Sequence, residues 1–329
     1  MSHPSRMNAV VAERPGELAD VLAVRRVEFG GPLAPGEVEV RMRASTVNPS
    51  DAVTVSGAYA SRTEFPLVPG FEGVGRIERV GPGVPATAVG LRVLPLGSAG
   101  AWQEVRRIAW SWCVPVPADL SDGVACFAYI NPLTALLMVR RHIDGSAQHI
   151  AISAATSTIA GHLAELLSRR GIRPIGLTRG TPGRTVGDPS LWGAVVDTSD
   201  PSWPERVRAA TGGRGLDVTF DCVGGSIGAT LLDRLTPSGT PVHYGLLSGE
   251  PLPLAHLSGE SARRVTMFRL RDVVHAAPRE DLPGLLRPVF EHLRAGRLRT
   301  PVGERIPLTA LPDALRRGGP GKPLIDCGA

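Results

Sequence analysis

The stretch that decides the fold is His149-Ile150-Ala151-Ile152-Ser153, followed directly by Ala154-Ala155-Thr156-Ser157-Thr158-Ile159-Ala160-Gly161. Its first part has the length and flanks of a buried strand, and apolar residues at helical spacing then run from Ile159 to Leu167. Small residues crowd the turn between them, as they do where a strand leads into a helix whose N-terminus holds a pyrophosphate. The turn is not a GxGxxG, so an ordinary turn capped by Ser or Thr is the alternative interpretation.

The same alternation of strand and helix continues along the chain. Strand-like apolar runs occur at 175–177, 194–196, 218–220 and 241–244, with amphipathic helices between several of them. Such a series predicts a parallel, doubly wound sheet with helices on both faces, in the α/β class. Together with the turn after Ser153, it favours a Rossmann dinucleotide-binding domain over residues 123–265.

The residues before this series predict a different kind of domain. Up to about Leu120, short alternating runs such as 38–42 and 73–77 lie between Gly/Pro turns, which is typical of a small, irregular β-barrel. The C-terminal stretch holds a helix at Leu282–Ala295 and strands near 305–308 and 323–325. It is too short to fold alone, so we expect residues 266–329 to complete the barrel domain of residues 1–122.

Composition restricts the possible partners. No apolar run reaches the roughly 20 residues of a membrane helix, so we expect a cytoplasmic protein that does not enter a membrane. The net charge of +5 comes from scattered arginines, which argues against nucleic acid; Lys322 is the only lysine. The four cysteines are far apart, which is typical of a reduced protein without a metal.

The end of the second predicted strand indicates which nicotinamide cofactor is used. An acidic residue there would bind the ribose 2′-hydroxyl of NAD, whereas a basic residue accommodates the 2′-phosphate of NADP. The sequence gives Thr178-Arg179-Gly180, followed by Arg184, with no acid close by. NADPH is therefore the expected cofactor, although solvated surface arginines would give the same pattern.

Four ordered motifs make the chain resemble a known family. They are Val47-Asn48-Pro49-Ser50-Asp51, Val68-Pro69-Gly70-Phe71-Glu72-Gly73-Val74-Gly75, Ile130-Asn131-Pro132-Leu133-Thr134-Ala135 and Asp221-Cys222-Val223-Gly224-Gly225. The chain resembles the medium-chain dehydrogenase/reductase superfamily from about Met7 to Ile325. Within it, the chain is similar to the zinc-independent branch of mitochondrial-type trans-2-enoyl-thioester reductases and quinone oxidoreductases. The resemblance implies a GroES-like barrel domain beside the Rossmann domain, and a homodimer.

The residues also argue against zinc. In zinc alcohol dehydrogenases that resemble this chain, a Cys stands at the position of Asn48 or Pro49, and a His follows the glycine that corresponds to Gly70. This chain has Phe71 there, and it has no group of four closely spaced cysteines. Because thiolate and imidazole ligands are missing at these positions, we expect no metal site.

Tyr59 is the candidate for acid catalysis. Enoyl-thioester reductases of this type have a tyrosine at the corresponding place, shortly after the Asn-Pro-Ser-Asp motif. When hydride adds to the β-carbon of an enoyl thioester, negative charge develops on the carbonyl oxygen and the α-carbon, and a phenol can donate a hydrogen bond or proton to it. The alternative is a loop tyrosine that packs its ring against the substrate channel.

The resemblance implies roles for further residues. Asn48 and Asp51 would shape the nicotinamide side of the site, although the same residues are good turn formers without any ligand. Relatives usually have Gly at the positions of Ala160 and Ala60, so we expect Ala160 to crowd the pyrophosphate turn. The residues expected to contact the cofactor are Asn131, Thr134, Ala155, Thr156, Ser157, Thr158, Ile159, Thr178, Arg179, Arg184, Cys222, Val223, Tyr244, Gly245, Phe268, Leu270 and, at the adenosine 2′-phosphate, Lys322.

These features predict an NADPH-dependent reductase of an α,β-unsaturated thioester, either a 2-enoyl-CoA or an enoyl carrier protein, or of a similar activated alkene. The substrate would be a small molecule or an acyl group on a carrier. An NADPH:quinone or enone oxidoreductase of the same fold is the alternative enzyme. A non-catalytic nucleotide-binding protein is the alternative from another class, and the altered turn at Ala160 is its support.

Overall fold

A computed structural model describes residues 5–58, 63–180, 188–258, 264–319 and 321–328. The chain forms two compact units, which are Met1–Ile130 with Arg271–Ala329, and Asn131–Leu270. The chain therefore passes from the first unit to the second after Ile130, later than the predicted limit at residue 122. Residues 122–130 remain with the first unit because Arg92 binds the Asp122 carboxylate at 2.9 Å and Glu72 binds the backbone N–H of Ile130 at 2.7 Å.

Fifteen strands and ten helices are defined in the described residues. The strands are β1 (Ser5–Ala12), β2 (Leu22–Phe29), β3 (Glu37–Ser45), β4 (Gly73–Val80), β5 (Arg92–Pro95), β6 (Val105–Ala109), β7 (Cys113–Pro115), β8 (Ile150–Ile152), β9 (Ile175–Thr178), β10 (Ala194–Asp197), β11 (Leu216–Asp221), β12 (Leu235–His243), β13 (Thr266–Met267), β14 (Val302–Pro307) and β15 (Lys322–Asp326). The helices are α1 (Leu18–Val21), α2 (Pro49–Val55), α3 (Asp122–Ala125), α4 (Ile130–His142), α5 (Thr158–Ser168), α6 (Trp203–Ala210), α7 (Gly225–Asp233), α8 (Leu270–Ala276), α9 (Leu282–Arg294) and α10 (Leu311–Arg317).

The first unit is built on a seven-stranded sheet and a two-stranded one. The larger sheet has the order β14-β15-β3-β4-β5-β7, with β6 also paired to β3, and β1 pairs with β2 in the smaller sheet. Most pairs are antiparallel, as hairpin-rich sequence with Gly/Pro turns favours. Strand β15 lies against β3 with Ile325 opposite Ser45, so the C-terminal stretch forms part of this sheet.

The core of the first unit follows the alternation of its strands. Val38, Val40 and Met42 of β3 are fully buried and pack with Ile77 of β4. Trp102 is the largest fully buried side chain, and its indole N–H donates to the Thr46 carbonyl at 3.0 Å. This bond satisfies the one polar atom of the ring, so the ring can be buried without an unpaired donor.

The second unit confirms the predicted doubly wound parallel sheet. Its six strands have the order β10-β9-β8-β11-β12-β13, and all neighbouring pairs are parallel. The chain starts at β8 in the middle, builds outward to β10, and then returns to start the other half at β11. The order reverses between β8 and β11, and a ligand binds at the carboxyl ends of the strands at such a point in open α/β sheets.

Hydropathy gives one further finding about the helices. Among the residues that the structure describes, none of the helices combines the length and apolar character needed to cross a membrane.

Candidate active site

The start of α2 is a buried, tightly bonded corner of the first unit. Asp51 is fully buried, and its carboxylate accepts the backbone N–H of Asn48 at 2.7 Å and that of Phe71 at 3.0 Å. Pro49 occupies the first turn of the helix, where its missing N–H would have no helical partner. The Asn-Pro-Ser-Asp motif is therefore a helix start, and Asp51 also ties that start to the segment at Phe71.

The side chain of Asn48 joins this corner to two charged residues. Its amide N–H donates to Glu72 Oε2 at 2.9 Å, and its amide oxygen accepts from Lys322 Nζ on β15. Asn48 is 2% exposed and Glu72 is 1% exposed, so neither polar group can turn to solvent instead. Because one end of the amide meets an acceptor and the other a donor, its orientation is defined.

Glu72 lies in one of the four sequence motifs, which by itself assigns it no role, and the structure places it at the centre of this cluster. Its Oε1 accepts the backbone N–H groups of Tyr129 at 2.9 Å and Ile130 at 2.7 Å. Ile130 is the first residue of α4, the helix that carries Asn131 and Thr134. The carboxylate therefore fixes the backbone where this helix begins.

Burial controls the acid–base properties of these groups. It raises the pKa of Asp51 to about 7, against the lowering effect of the hydrogen bonds from Asn48 and Phe71. It also raises the pKa of Glu72, which nearby Lys322 and the backbone N–H of Ile130 oppose. Burial lowers the pKa of Lys322, and Glu72 and Asp51 oppose that change. Removal from water disfavours the charged form of every member.

This placement gives Lys322 a different role from the one expected. Its ammonium donates to Asn48 within the first unit and interacts with two buried carboxylates there. An ammonium so engaged is poorly suited to the adenosine 2′-phosphate, and we revise that assignment. Tyr59, the expected acid, lies outside the described residues, as does Ala60.

In the second unit, the turn after β8 carries the expected phosphate-binding residues. Helix α5 begins at Thr158, and Ser157 is its N-cap, accepting the backbone N–H of Ala160 at 3.3 Å. Ala155 is fully buried, and its backbone N–H bonds to Leu177 at 2.8 Å. The turn is thus both a capped helix start and a place where a helix N-terminus meets the edge of a parallel sheet.

The unusual backbone conformation in this turn lies at Ala154, and the expected crowding of the pyrophosphate by Ala160 stays a prediction. Ala160 is fully buried within a regular helix. Ala154 instead has a positive φ of 50°, a conformation that favours glycine. The close approach expected at the turn is seen at Gly176 of β9, where an added Cβ would lie 2.9 Å from the Cβ of Ala155.

The end of β9 presents a hydroxyl and a guanidinium side by side. Thr178 is 4% exposed, and its hydroxyl finds no hydrogen-bond partner among the described residues. Arg179 is exposed. An orphaned buried hydroxyl beside an exposed cation fits a ligand with hydroxyl or phosphate oxygens. Arg184 lies outside the described residues.

Sequence reasoning missed an acid at this point. Asp197, at the end of β10, accepts the backbone N–H of Gly180 at 3.1 Å and the Ser199 hydroxyl at 2.7 Å on the same oxygen. The bonds from Ser199 lower the pKa of Asp197. The residue is far from Arg179 in sequence, and only strand pairing brings it near, so inspection of the second strand alone could not find it.

Asp221, at the end of β11, organises the loop that holds Cys222 and Val223. Its carboxylate accepts the Ser153 hydroxyl at 2.7 Å, the backbone N–H of Val223 at 2.9 Å and His243 Nδ1 at 3.0 Å. Burial alone would raise the pKa of Asp221, but the bonds from His243 and Ser153 lower it below its ordinary value. Since Ser153 and His243 both bind the carboxylate, the arrangement is a loop anchor and not the chain of a catalytic triad.

Of the remaining expected cofactor residues, Tyr244, Gly245 and Phe268 follow strand ends, and the others lie on helices. The backbone N–H of Tyr244 bonds to Asp221 at 2.8 Å, and Gly245 lies where an added Cβ would be 3.0 Å from the Cβ of Cys222. Phe268 is 4% exposed, and its N–H bonds to His243 at 2.8 Å. Leu270 is the first residue of α8, and Asn131 and Thr134 are buried on α4.

The strand ends therefore bring several expected cofactor residues to one edge of the sheet. The turn after β8, Thr178-Arg179, Cys222-Val223 and Tyr244-Gly245 all follow the carboxyl ends of parallel strands. A helix N-terminus, an unpaired hydroxyl and close-approach glycines fit a dinucleotide there. Over the ranges that the structure describes, no three or more His, Cys, Asp or Glu side chains group as metal ligands.

Fold and site together define a two-unit dehydrogenase or reductase with a dinucleotide-binding sheet, and comparison with known proteins agrees. A family model described as the alcohol dehydrogenase GroES-like domain matches residues 34–118, and one described as zinc-binding dehydrogenase matches residues 192–321. The mitochondrial enoyl-[acyl-carrier-protein] reductase of Bos taurus is 28% identical over 319 residues, which are 93% of this chain and 84% of that protein.

Two solved structures extend the likeness. A protein from Bacillus thuringiensis, provisionally named as an NADPH:quinone reductase, is 30% identical, with a TM-score of 0.90 and coverage of 98% of this chain and 99% of that one. A mycobacterial protein solved in complex with NADPH is 26% identical, with a TM-score of 0.81 and coverage of 97% and 100%. The chain belongs to the medium-chain dehydrogenase/reductase superfamily and is an oxidoreductase.

Proposed function

We propose that this oxidoreductase uses NADPH to reduce the double bond of an α,β-unsaturated thioester, a 2-enoyl-CoA or enoyl carrier protein, or of a similar activated alkene. When bound, the nicotinamide supplies the hydride that adds to the β-carbon. The name of the Bos taurus relative, which matches 93% of this chain, supports the substrate class. The mycobacterial complex with NADPH supports the cofactor.

The residues of the second unit would hold the cofactor in a defined way. The N-terminus of α5, capped by Ser157, offers backbone N–H groups and the positive end of the helix dipole to the pyrophosphate. The Thr178 hydroxyl and the Arg179 guanidinium would bind the ribose and its 2′-phosphate. Asp197 supports the backbone of Gly180 with an oxygen that already accepts from Ser199.

The residues of the first unit would serve the alkene. Helix α2 ends at Val55, four residues before Tyr59, and its start is fixed by Asn48 and Asp51. The observation that carries the proposal is this buried, hydrogen-bonded start, because the helix that it fixes leads along the sequence towards Tyr59. Tyr59 would donate to the enolate oxygen or the α-carbon as negative charge develops there.

A quinone or enone reductase is the second candidate. The likeness to the Bacillus thuringiensis protein, at 30% identity and a TM-score of 0.90, favours it. A quinone accepts hydride without protonation at an α-carbon, so a phenol donor would matter little. The two candidates therefore make opposite predictions for Tyr59.

Loss of the phenol separates the two candidates. Oxidation of NADPH would be followed with crotonyl-CoA and, in parallel, with a quinone, for the wild type, Tyr59→Phe and the control Glu64→Gln at an exposed position of the same segment. We expect crotonyl-CoA turnover that falls about 100-fold or more in Tyr59→Phe, within the range of general acid catalysis, and is unchanged in Glu64→Gln. Turnover of quinone alone, indifferent to Tyr59→Phe, would refute the enoyl reductase and support the second candidate.

A further inference from the structure

Lys322 of the first unit is unusual both in its residue type and in its partly buried position. Of the 36 lysine and arginine residues in the chain, Lys322 is the only lysine. It is the first residue of β15 and is partly buried beside Asn48. A lysine ammonium is a compact point charge with three donors, whereas the guanidinium is a planar fork that needs more room and more acceptors.

The contacts of Lys322 lead from one side chain to the next. The ammonium donates to the amide oxygen of Asn48, the amide N–H donates to Glu72 Oε2 at 2.9 Å, and Glu72 Oε1 accepts from Ile130 at 2.7 Å. In this series of hydrogen bonds, Asn48 and Glu72 each use one atom for the bond to one neighbour and another atom for the bond to the next. Lys322 is therefore the donor that determines which way the buried Asn48 amide faces.

The charges around Lys322 give it a second effect. Asp51 on α2 and Glu72 before β4 are both buried carboxylates, and the charge of Glu72 adds to the effect of burial in raising the pKa of Asp51. The Lys322 ammonium lowers the pKa of both, and the buried thiol of Cys126, at the end of α3, also interacts with it. Without that cation, the two carboxylates would more readily take up protons.

We propose that Lys322 is a positioning residue for the reaction: it orients the Asn48 amide and places a positive charge near the buried Asp51 carboxylate, and so fixes the start of the helix that leads along the sequence towards Tyr59. The inference rests on the proposed function. An ionised Asp51 offers acceptor oxygens to the backbone N–H groups of both Asn48 and Phe71, whereas protonation would convert one oxygen to a donor.

This role is tested by measuring whether loss of Lys322 changes kcat and leaves the affinity for NADPH unchanged. Steady-state kinetics against pH, with NADPH and whichever substrate the wild type reduces, would be measured for Lys322→Met and Lys322→Arg. Arg317→Met is the control, since it removes a positive charge from an exposed ion pair with Glu304 in the same unit. For Lys322→Met we expect kcat to fall at least about 10-fold, as misplacement by a fraction of an ångström can cause, with the Kd for NADPH within twofold of wild type.

The pH profile provides the readout that a purely structural role would not change. Because Lys322 lowers the pKa of Asp51, its removal should move the acid limb of the kcat profile to higher pH. Lys322→Arg keeps the charge, so its acid limb should remain near that of wild type. An unchanged limb in Lys322→Met, or a large loss of NADPH affinity with kcat unchanged, would overturn the proposal; the second result would return Lys322 to the 2′-phosphate.

A spectroscopic measurement keeps the test valid if the variants fold poorly or if the proposed function is wrong. Protein made with ¹³C-labelled lysine gives the Cε signal of one residue, because the chain has one lysine. We expect its titration midpoint to lie below that of an ordinary lysine and to fall further in Glu72→Gln, since Glu72 opposes the lowering. If the titration midpoint of Lys322 is that of an ordinary lysine and is the same in Glu72→Gln, the proposed coupling is wrong. If the wild type turns over no substrate, only the proposed function is refuted.

Discussion

At the scale of single residues, the first unit places two acids where water cannot reach them. Asp51 caps a helix with one oxygen and holds Phe71 with the other, so its hydrogen bonds favour the charged form while its burial opposes it. Burial has the larger effect, and the pKa rises to about 7. The residue thus titrates in the range where the enzyme would work.

The first prediction concerns stability against pH. The pKa of Asp51 rises from 3.8 to about 7 on folding, so the folded state binds more protons between these values and the free energy of unfolding falls as pH rises through them. Relative to Asp51→Asn, which does not titrate, wild type should lose about 2 to 4 kcal/mol between pH 4 and 7.5. Urea unfolding of both proteins at four pH values checks this. A difference that is constant with pH would contradict the raised pKa.

The second prediction concerns Arg179 and the choice of cofactor. Loss of a charge-assisted bond to the 2′-phosphate should raise the KM for NADPH by about 10- to 100-fold in Arg179→Ala, and leave the KM for NADH nearly unchanged. The exposed Arg169, at the far end of α5, gives the control variant Arg169→Ala. Equal effects on NADPH and NADH would show that Arg179 does not contact the phosphate.

Sequence motifs located the residues of the site better than they assigned their partners. Asn48 and Asp51 were identified from their motif, but Glu72, which lies in another quoted motif, received no role. The partners of Glu72 are 24, 57 and 58 residues away along the chain, and Lys322 is 274 residues from Asn48. Such contacts depend on strand pairing, which local patterns do not encode.

At the scale of elements, apolar periodicity predicted the parallel sheet well. The run at 149–153 contains β8 (Ile150–Ile152), and the helix expected at Leu282–Ala295 is α9 (Leu282–Arg294). The turn between β8 and α5 was harder, because its strain depends on backbone angles. The sequence directed attention to Ala160, whereas the positive φ belongs to Ala154.

The third prediction tests this strain. Ala154→Gly removes an unfavourable conformation, but it also increases the entropy of the unfolded chain by a similar amount, so the stability should change by less than about 1 kcal/mol. Ala154→Val adds a β-branched side chain at the same φ and should destabilise by about 2 kcal/mol or more. Thermal and chemical unfolding measure both variants. A strongly stabilising glycine or a neutral valine would contradict the assigned backbone conformation.

At the scale of the whole molecule, the parallel sheet has an edge that requires an explanation. Strand β13 (Thr266–Met267) ends the sheet, and Met267 is 63% exposed. An edge strand with an exposed apolar side chain is a natural place for another chain to pair. The resemblance to a family that often forms dimers agrees with this, so we propose a homodimer formed at this edge.

The fourth prediction follows from that edge. Met267→Asp should convert the dimer to a monomer in light scattering coupled to size exclusion, because a charge would be buried at the contact. Val302→Asp is the matched control, since Val302 is an exposed apolar residue on β14, the edge strand of the other unit's sheet. A monomeric wild type would refute the proposed dimer. Dissociation by Val302→Asp but not by Met267→Asp would indicate that the dimer contact is at β14.

The pairing of β15 with β3 has a consequence for biosynthesis. Lys322 leaves the ribosome 274 residues after Asn48, which at ordinary translation speeds is a delay of about 15 to 55 s. During that time, Ala44 and Ser45 of β3 lack the strand that later pairs with them, and the buried acids have no ammonium beside them. Because β15 belongs to the sheet of the first unit, that sheet can be completed only after β15 has left the ribosome. Slow codons between α9 and β15 would lengthen the exposure of the incomplete sheet to proteases without altering one residue of the finished enzyme.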